Sequence, residues 1–279
     1  GRNYNLIFSS ILLKGLTDLM LHELKIAERH LQKSGFIDEK TRFYKAAFEN
    51  LRSMFHPRYN SRLTHTYGKK YLDSLGNGKK PEDEIYVSML TLYGDIISQK
   101  FAGNEVAFLP KATAVLGKYE KKALMPGSSP AKFFYYFTLA TLHKHLSLTN
   151  EGMLPAYYEA LKAFDENAKR IESKFKGIVL CELGFANLER NEFGKAQEFY
   201  EQGLLGFADT IGKSHYHGGN YFVTCLINRD YRKAQGAFKK YLLPKIQPAT
   251  NRSVLFDMYM LGCLLHLHIK DYSGAFKYL

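Results

Sequence analysis

Three His-x-His pairs, His143/His145, His215/His217 and His266/His268, are the most conspicuous chemically able residues in this 279-residue sequence. Imidazoles are common zinc and copper ligands. On a helix, however, residues two apart point about 200° apart, so the two rings of a pair cannot share a metal. The expected arrangement is one ring inward and one outward, and His215 and His217, near a helix start, are the pair best placed to depart from it. Cys181, Cys225 and Cys263 have no CxxC spacing, which suits buried thiols better than a zinc site or a disulfide framework. No metal and no cofactor is expected. Catalytic signatures are missing too: the sequence has no GxSxG, no HExxH and no glycine-rich loop followed by Lys-Ser or Lys-Thr. Gly76-Asn77-Gly78-Lys79-Lys80 resembles a phosphate loop only superficially, because no strand precedes it, and a turn between helices explains it better. The chain reads as a non-enzyme.

Charge supplies the next candidate. The formal charge is +12 and the pI is near 9.4, a balance that suits an acidic partner. From Arg52 to Lys80 there are seven Lys or Arg against one acid, Asp73. Arg58, Arg62, Lys69, Lys70, Lys79 and Lys80 form the candidate patch, interleaved with Phe55, Tyr59, Tyr67 and Tyr71, a mixture that can neutralise and stack on nucleic acid. Leu63, Tyr67 and Tyr71 also recur at helical spacing, the signature of a core face beneath a solvated one. The solvated face is the preferred reading.

Helical periodicity runs through the whole chain and strand-type alternation is almost absent, so the fold class is all-α. Helices are expected over 4–20, 21–33, 38–54, 60–75, 83–101, 104–122, 130–147, 151–170, 172–189, 192–207, 213–227, 230–243, 250–269 and from 271 onward. Ser34-Gly35, Gly76-Asn77-Gly78, Gly103-Asn104, Pro126–Pro130, Thr149-Asn150 and Pro244–Asn251 supply the breaks. Short connections between such helices make antiparallel hairpins, which must stack to bury their apolar faces. Lys14 and Asp18 interrupt the N-terminal apolar run, so no membrane span is expected, and the run lacks a signal peptide's cleavage region. The sparse cysteines lean toward a reducing compartment such as the cytoplasm. A start at Gly1 and a stop at Leu279 inside a helix suggest a trimmed fragment, which leaves export after loss of a signal peptide open.

One pattern recurs. Glu192-Phe193-Gly194-Lys195-Ala196-Gln197 is matched by Asp230-Tyr231-Arg232-Lys233-Ala234-Gln235, 38 residues later, and by Asp271-Tyr272-Ser273-Gly274-Ala275 after a further 41. Leu183-Gly184 and Leu261-Gly262 precede the first and third copies, and Phe222 stands at the glycine site of the second. The order resembles the tetratricopeptide repeat: Gly184 and Gly262 look like its small first-helix residue, Ala196, Ala234 and Ala275 like its second-helix alanine, and Tyr200 and Phe238 like the aromatic one turn on. The spacings exceed the usual 34 residues. The resemblance implies a single right-handed α-solenoid over 1–279. Residues 1–80 would be divergent hairpins, 81–170 degenerate copies (Leu92-Tyr93-Gly94 with Val106-Ala107, and Ala156, Ala160 and Ala163), and 172–279 clear repeats.

In this family the first helices line a concave groove that holds a protein or peptide segment. Carried over, the groove would present Phe185, Leu188 and Glu189, then Tyr216, Asn220 and Val223, then Tyr259, Cys263 and His266. Where carboxylate-clamping members use Lys, Asn and Arg, this chain has Cys181, Phe185, Gly219 and Val223, which implies an apolar groove. The expected function is a non-enzymatic protein-binding scaffold. Two alternatives stay open: the regulatory portion of a larger bacterial signalling or transcription-regulating protein, and nucleic-acid binding through 52–80.

Overall fold

The computed structural model describes residues 22, 24–30, 37–52, 61–125, 127, 129–146, 151–206, 214–243 and 252–278. Among them the fold is all-helical and contains no strand. In chain order the helices are α1 (24–30), α2 (Ile37–Arg52), α3 (Ser61–Ser74), α4 (Pro81–Phe101), α5 (Glu105–Ala123), α6 (Ser129–Leu146) and α7 (Met153–Asp165), followed by α8 (Ser173–Glu189), α9 (Phe193–Leu205), α10 (Ser214–Ile227), α11 (Tyr231–Ala237), α12 (Arg252–His268) and α13 (Tyr272–Phe276). Most expected boundaries hold to within two residues; the ends of the helices expected over 151–170 and from 230 and 271 onward differ more. A π-helical turn, Phe238–Leu242, continues α11. The expected helix 4–20 and most of 21–33 lie outside the described residues.

The chain divides into two compact units, Gly1–Ala156 and Tyr157–Leu279, with the division falling inside α7. In the first unit α2 packs on α3, and α4 packs on α3, α5 and, most extensively, α6. α4 starts cleanly because Pro81 occupies its first turn, with Glu82, Asp83 and Glu84 beside it, and the Asp83 carboxylate accepts from the Lys80 amide at 2.9 Å. Its Ile85, Met89, Leu90, Leu92 and Ile96 are buried. α5 buries only Ala112, Leu116, Tyr119 and Ala123, a single stripe at three- and four-residue spacing that leaves the other faces to solvent.

In the second unit α8 packs on α9, α10 on α9 and α11, and α12 on α13. α8 is buried along almost its whole length. Close approach explains the small residues: a Cβ on Gly203 would lie 2.6 Å from Cys181 Sγ and 2.9 Å from the Gly177 carbonyl oxygen, and one on Gly184 would touch the Tyr200 ring at 3.0 Å. Two helices whose backbones come this near leave no room for a methyl group. In the second copy Phe222 lies against Phe238, ring centroids 5.8 Å apart. The close approach has moved to Gly218, one turn earlier, where a Cβ would meet Tyr241.

Three turns in this unit share one geometry. Asn191, Arg229 and Lys270 have φ of 59°, 59° and 60°. The amides of Glu192, Asp230 and Asp271 donate to the carbonyls of Asn187, Cys225 and His266, five residues back, at 2.9, 2.9 and 2.8 Å. Those of Asn191, Arg229 and Lys270 donate to Leu188, Leu226 and Leu267 at 3.0, 3.0 and 3.1 Å. This is the Schellman closure of a helix end. Asp230 and Asp271 then cap the next helix, accepting from the Lys233 and Gly274 amides at 3.2 and 2.8 Å. The buried alanines Ala196, Ala234 and Ala275 each fall five residues beyond the left-handed residue. α4 turns into α5 the same way, through Gly103 at φ 72° with the Asn104 amide on the Gln99 carbonyl. There the matching site is Phe108, and Ala107, expected at it, is exposed.

Candidate functional site

The repeated turn gives a register for the first helices of the three C-terminal hairpins that rests on backbone hydrogen bonds alone. It aligns Phe185 with Val223 and Leu264, Leu188 with Leu226 and Leu267, and Glu189 with Ile227 and His268. Phe185, Leu188, Val223 and Leu226 are partly exposed, while Ile227, Leu264 and Leu267 are 45%, 41% and 46% exposed. The same face of α8, α10 and α12 thus carries an apolar row, with Glu189 exposed at its edge.

Two expected groove residues do not belong to that row. His266 aligns with Asn187 and Cys225, both buried, and points toward its own second helix. Its Nδ1 lies 2.8 Å from Asp271 Oδ2, and its ring stacks on Tyr278 at 5.4 Å. Tyr259 aligns with buried Leu180 and Gly218; it is itself exposed, with its ring leaning on Tyr278 at 6.2 Å. The offset has a physical source. Gly184 precedes its alanine by twelve residues and Gly262 by thirteen, so a register set on the glycines slips by one at the third hairpin. The partner of Gly262 is accordingly Tyr278, three residues past Ala275. Leu264 and Leu267 were missed for this reason, and aligning on the alanines would have found them; Leu226, at the second hairpin, aligns with Leu188 in either register. Cys263 is buried. The side chain of Tyr216 lies outside the described residues. Asn220 is partly exposed, with its Nδ2 buried and without a hydrogen-bond partner.

Behind the row a polar cluster joins the first hairpin to the second. Asn228 Nδ2 donates to Gln197 Oε1 at 2.7 Å and to the Phe193 carbonyl at 3.0 Å, while Gln197 Nε2 reaches Glu201 Oε1 and Asp230 Oδ2 at 3.1 and 3.2 Å. Glu201 Oε1 also accepts from Tyr221 at 3.1 Å and from Lys233 Nζ at 2.8 Å. Burial alone would raise the Glu201 carboxyl, but the hydrogen bonds from Lys233, Gln197 and Tyr221 outweigh it and hold the group below its ordinary range. Asp230 is likewise lowered against its burial, by the Lys233 amide and Gln197. Burial, with smaller contributions from Asp230 and Glu201, pushes the neighbouring Cys225 thiol up to about 12, which leaves it a protonated, unreactive core group.

The other candidates resolve as follows. Arg62, Lys69, Lys79 and Lys80 are exposed, and Arg58 lies outside the described residues. Lys70 pairs with Glu28 and sits over the rings of Tyr67 and Tyr44, at 5.0 and 5.9 Å. Tyr67 and Tyr71 are buried, and burial followed by nearby carboxylates raises both hydroxyls, that of Tyr71 to about 12. The described aromatic residues that would have stacked on bases therefore belong to the core. Gly76–Gly78 is a single 3-10 turn with Gly76 at φ 50°. The three cysteines are free and buried. His143 is half-buried, and burial lowers its pKa; His217 is buried; exposed His268 stacks on Tyr231 at 5.7 Å. Among the described residues no three His, Cys, Asp or Glu side chains gather at metal-binding spacing, and no helix is long and apolar enough to cross a membrane. No protein-family model matches the chain, and no curated protein matches it.

Proposed function

We propose that this chain is a non-enzymatic scaffold of tetratricopeptide-like hairpins that holds a protein segment against the first-helix face of α8, α10 and α12. The observation that carries the reading is the recurrence of apolar side chains at the same turn-registered sites, Phe185/Val223/Leu264 and Leu188/Leu226/Leu267, with the third pair left open to solvent. Core packing does not require Leu264 and Leu267 to be apolar at that exposure. Each leucine covered by a partner would contribute about 1.5–3 kcal/mol of transfer free energy, before the cost of ordering the partner. The flanking Glu189, Asn220 and His268 supply orientation rather than affinity.

The test is selection of binding peptides from a displayed random library on the full chain. The selected peptides should lose at least about tenfold in affinity on Leu264→Asp and on Phe185→Ala. Leu264→Asp should leave the thermal midpoint unchanged. Unaltered affinity in a folded Leu264→Asp variant would overturn the reading.

A further inference from the structure

The apolar row ends, at the second and third hairpins, on a rim of cations. The last row leucines, Leu226 and Leu267, accept through their carbonyls the amides of Arg229 and Lys270, so the backbone of each cationic residue is fixed three residues beyond a row leucine. Both sit at left-handed φ, where glycine would be cheaper, and both are exposed, as is Arg232. The Tyr231 ring stacks on His268, which brings the two turns side by side. The acids of these turns have partners of their own. Asp230 is engaged by the Lys233 amide and ammonium and by Gln197, and Asp271 by the Gly274 amide and His266. Both carboxylates stay ionised, but the three cations Arg229, Arg232 and Lys270 outnumber them, and none of the three is among these partners of the two acids.

We propose that the segment held by this chain is amphipathic and acidic at one end, its apolar side chains on the row and its Asp or Glu residues against the Arg229, Arg232 and Lys270 rim. The proposal rests on the groove reading and adds the charge and polarity of the partner. Opposite charge at a rim raises the encounter rate and fixes direction, while a basic segment would be repelled there. The row itself is aliphatic at Val223, Leu226, Leu264 and Leu267, which suits the apolar side chains of a peptide. The rings at the rim, Tyr231 on His268 and exposed Tyr272, are the groups a nucleic acid would stack on, and the oligonucleotide arm of the test addresses them.

The same peptide selection provides the probe. Selected peptides should carry acidic residues on one side of their apolar positions. Their affinity should fall about tenfold in the Arg229→Glu, Lys270→Glu double variant at low salt, with the difference shrinking by about 0.5 M salt. Arg229→Gln with Lys270→Gln, which adds no repulsion, should give a smaller loss in the same direction, and thermal melts of both variants would establish that they fold. Peptides that depend on Leu264 but are neutral or basic and indifferent to both charge variants would overturn the proposal and leave the groove reading intact. A single-stranded oligonucleotide that displaced the peptides with equal affinity would overturn it as well. Failure to select any Leu264-dependent peptide would remove the groove reading and this proposal together.

Discussion

The Glu201 carboxylate accepts hydrogen bonds from side chains on three helices, Gln197 of α9, Tyr221 of α10 and Lys233 of α11. Its pKa is depressed in the folded chain relative to the ordinary glutamate value, so its stabilising contribution is complete above that ordinary value and is lost as pH falls through the folded one. Urea unfolding of wild type and Glu201→Gln should therefore show a wild-type advantage at neutral pH that disappears on acidification. An advantage that stayed constant down to the acid limit would mean that the carboxylate's charge is irrelevant to the joint. Nothing in the sequence flagged this residue. Gln197 and Glu201 are one helical turn apart, a common surface pair, and only the fold brings Tyr221 and Asp230 to them.

At the level of the element, the three turns are held at left-handed φ by residues other than glycine. A long side chain there costs about 1–2 kcal/mol, and glycine gives back part of the relief through the larger entropy of its unfolded chain. Lys270→Gly should thus raise stability by about 0.5–1 kcal/mol, read as a higher urea midpoint with an unchanged slope, and Lys270→Val should lower it. The helices themselves were legible, because apolar residues recur at helical spacing and the breaks fall where turn chemistry does. The identity of the turns was not, since Arg229 and Lys270 carry no turn signature. Of the residues expected at the groove, Phe185, Leu188 and Val223 fall on the turn-registered row, whereas Tyr259 and His266 fall beside it by the one-residue offset of Gly262, Tyr259 still exposed and His266 partly so.

For the molecule as a whole, the chain divides into its two compact units within α7, and a defect placed in one unit should be felt in that unit first. Gly203→Val provides such a defect, because its Cβ would lie 2.8 Å from the Cys181 amide nitrogen as well as against the Cys181 thiol, and backbone cannot give way as a side-chain tip can. The expected cost is about 1–3 kcal/mol. Hydrogen exchange should show faster opening of α8 and α9 while α4 and α6 keep their protection; an equal loss in both would show that the chain opens as one body. The matched turns have a further consequence at the level of the gene. Because each joint is built from the same pair of main-chain hydrogen bonds, a recombination that cuts at Asn191 and rejoins at Arg229 would remove an entire hairpin and restore an equivalent joint. An architecture closed this way can lengthen or shorten by whole units through unequal crossing-over, without a new loop having to be invented each time.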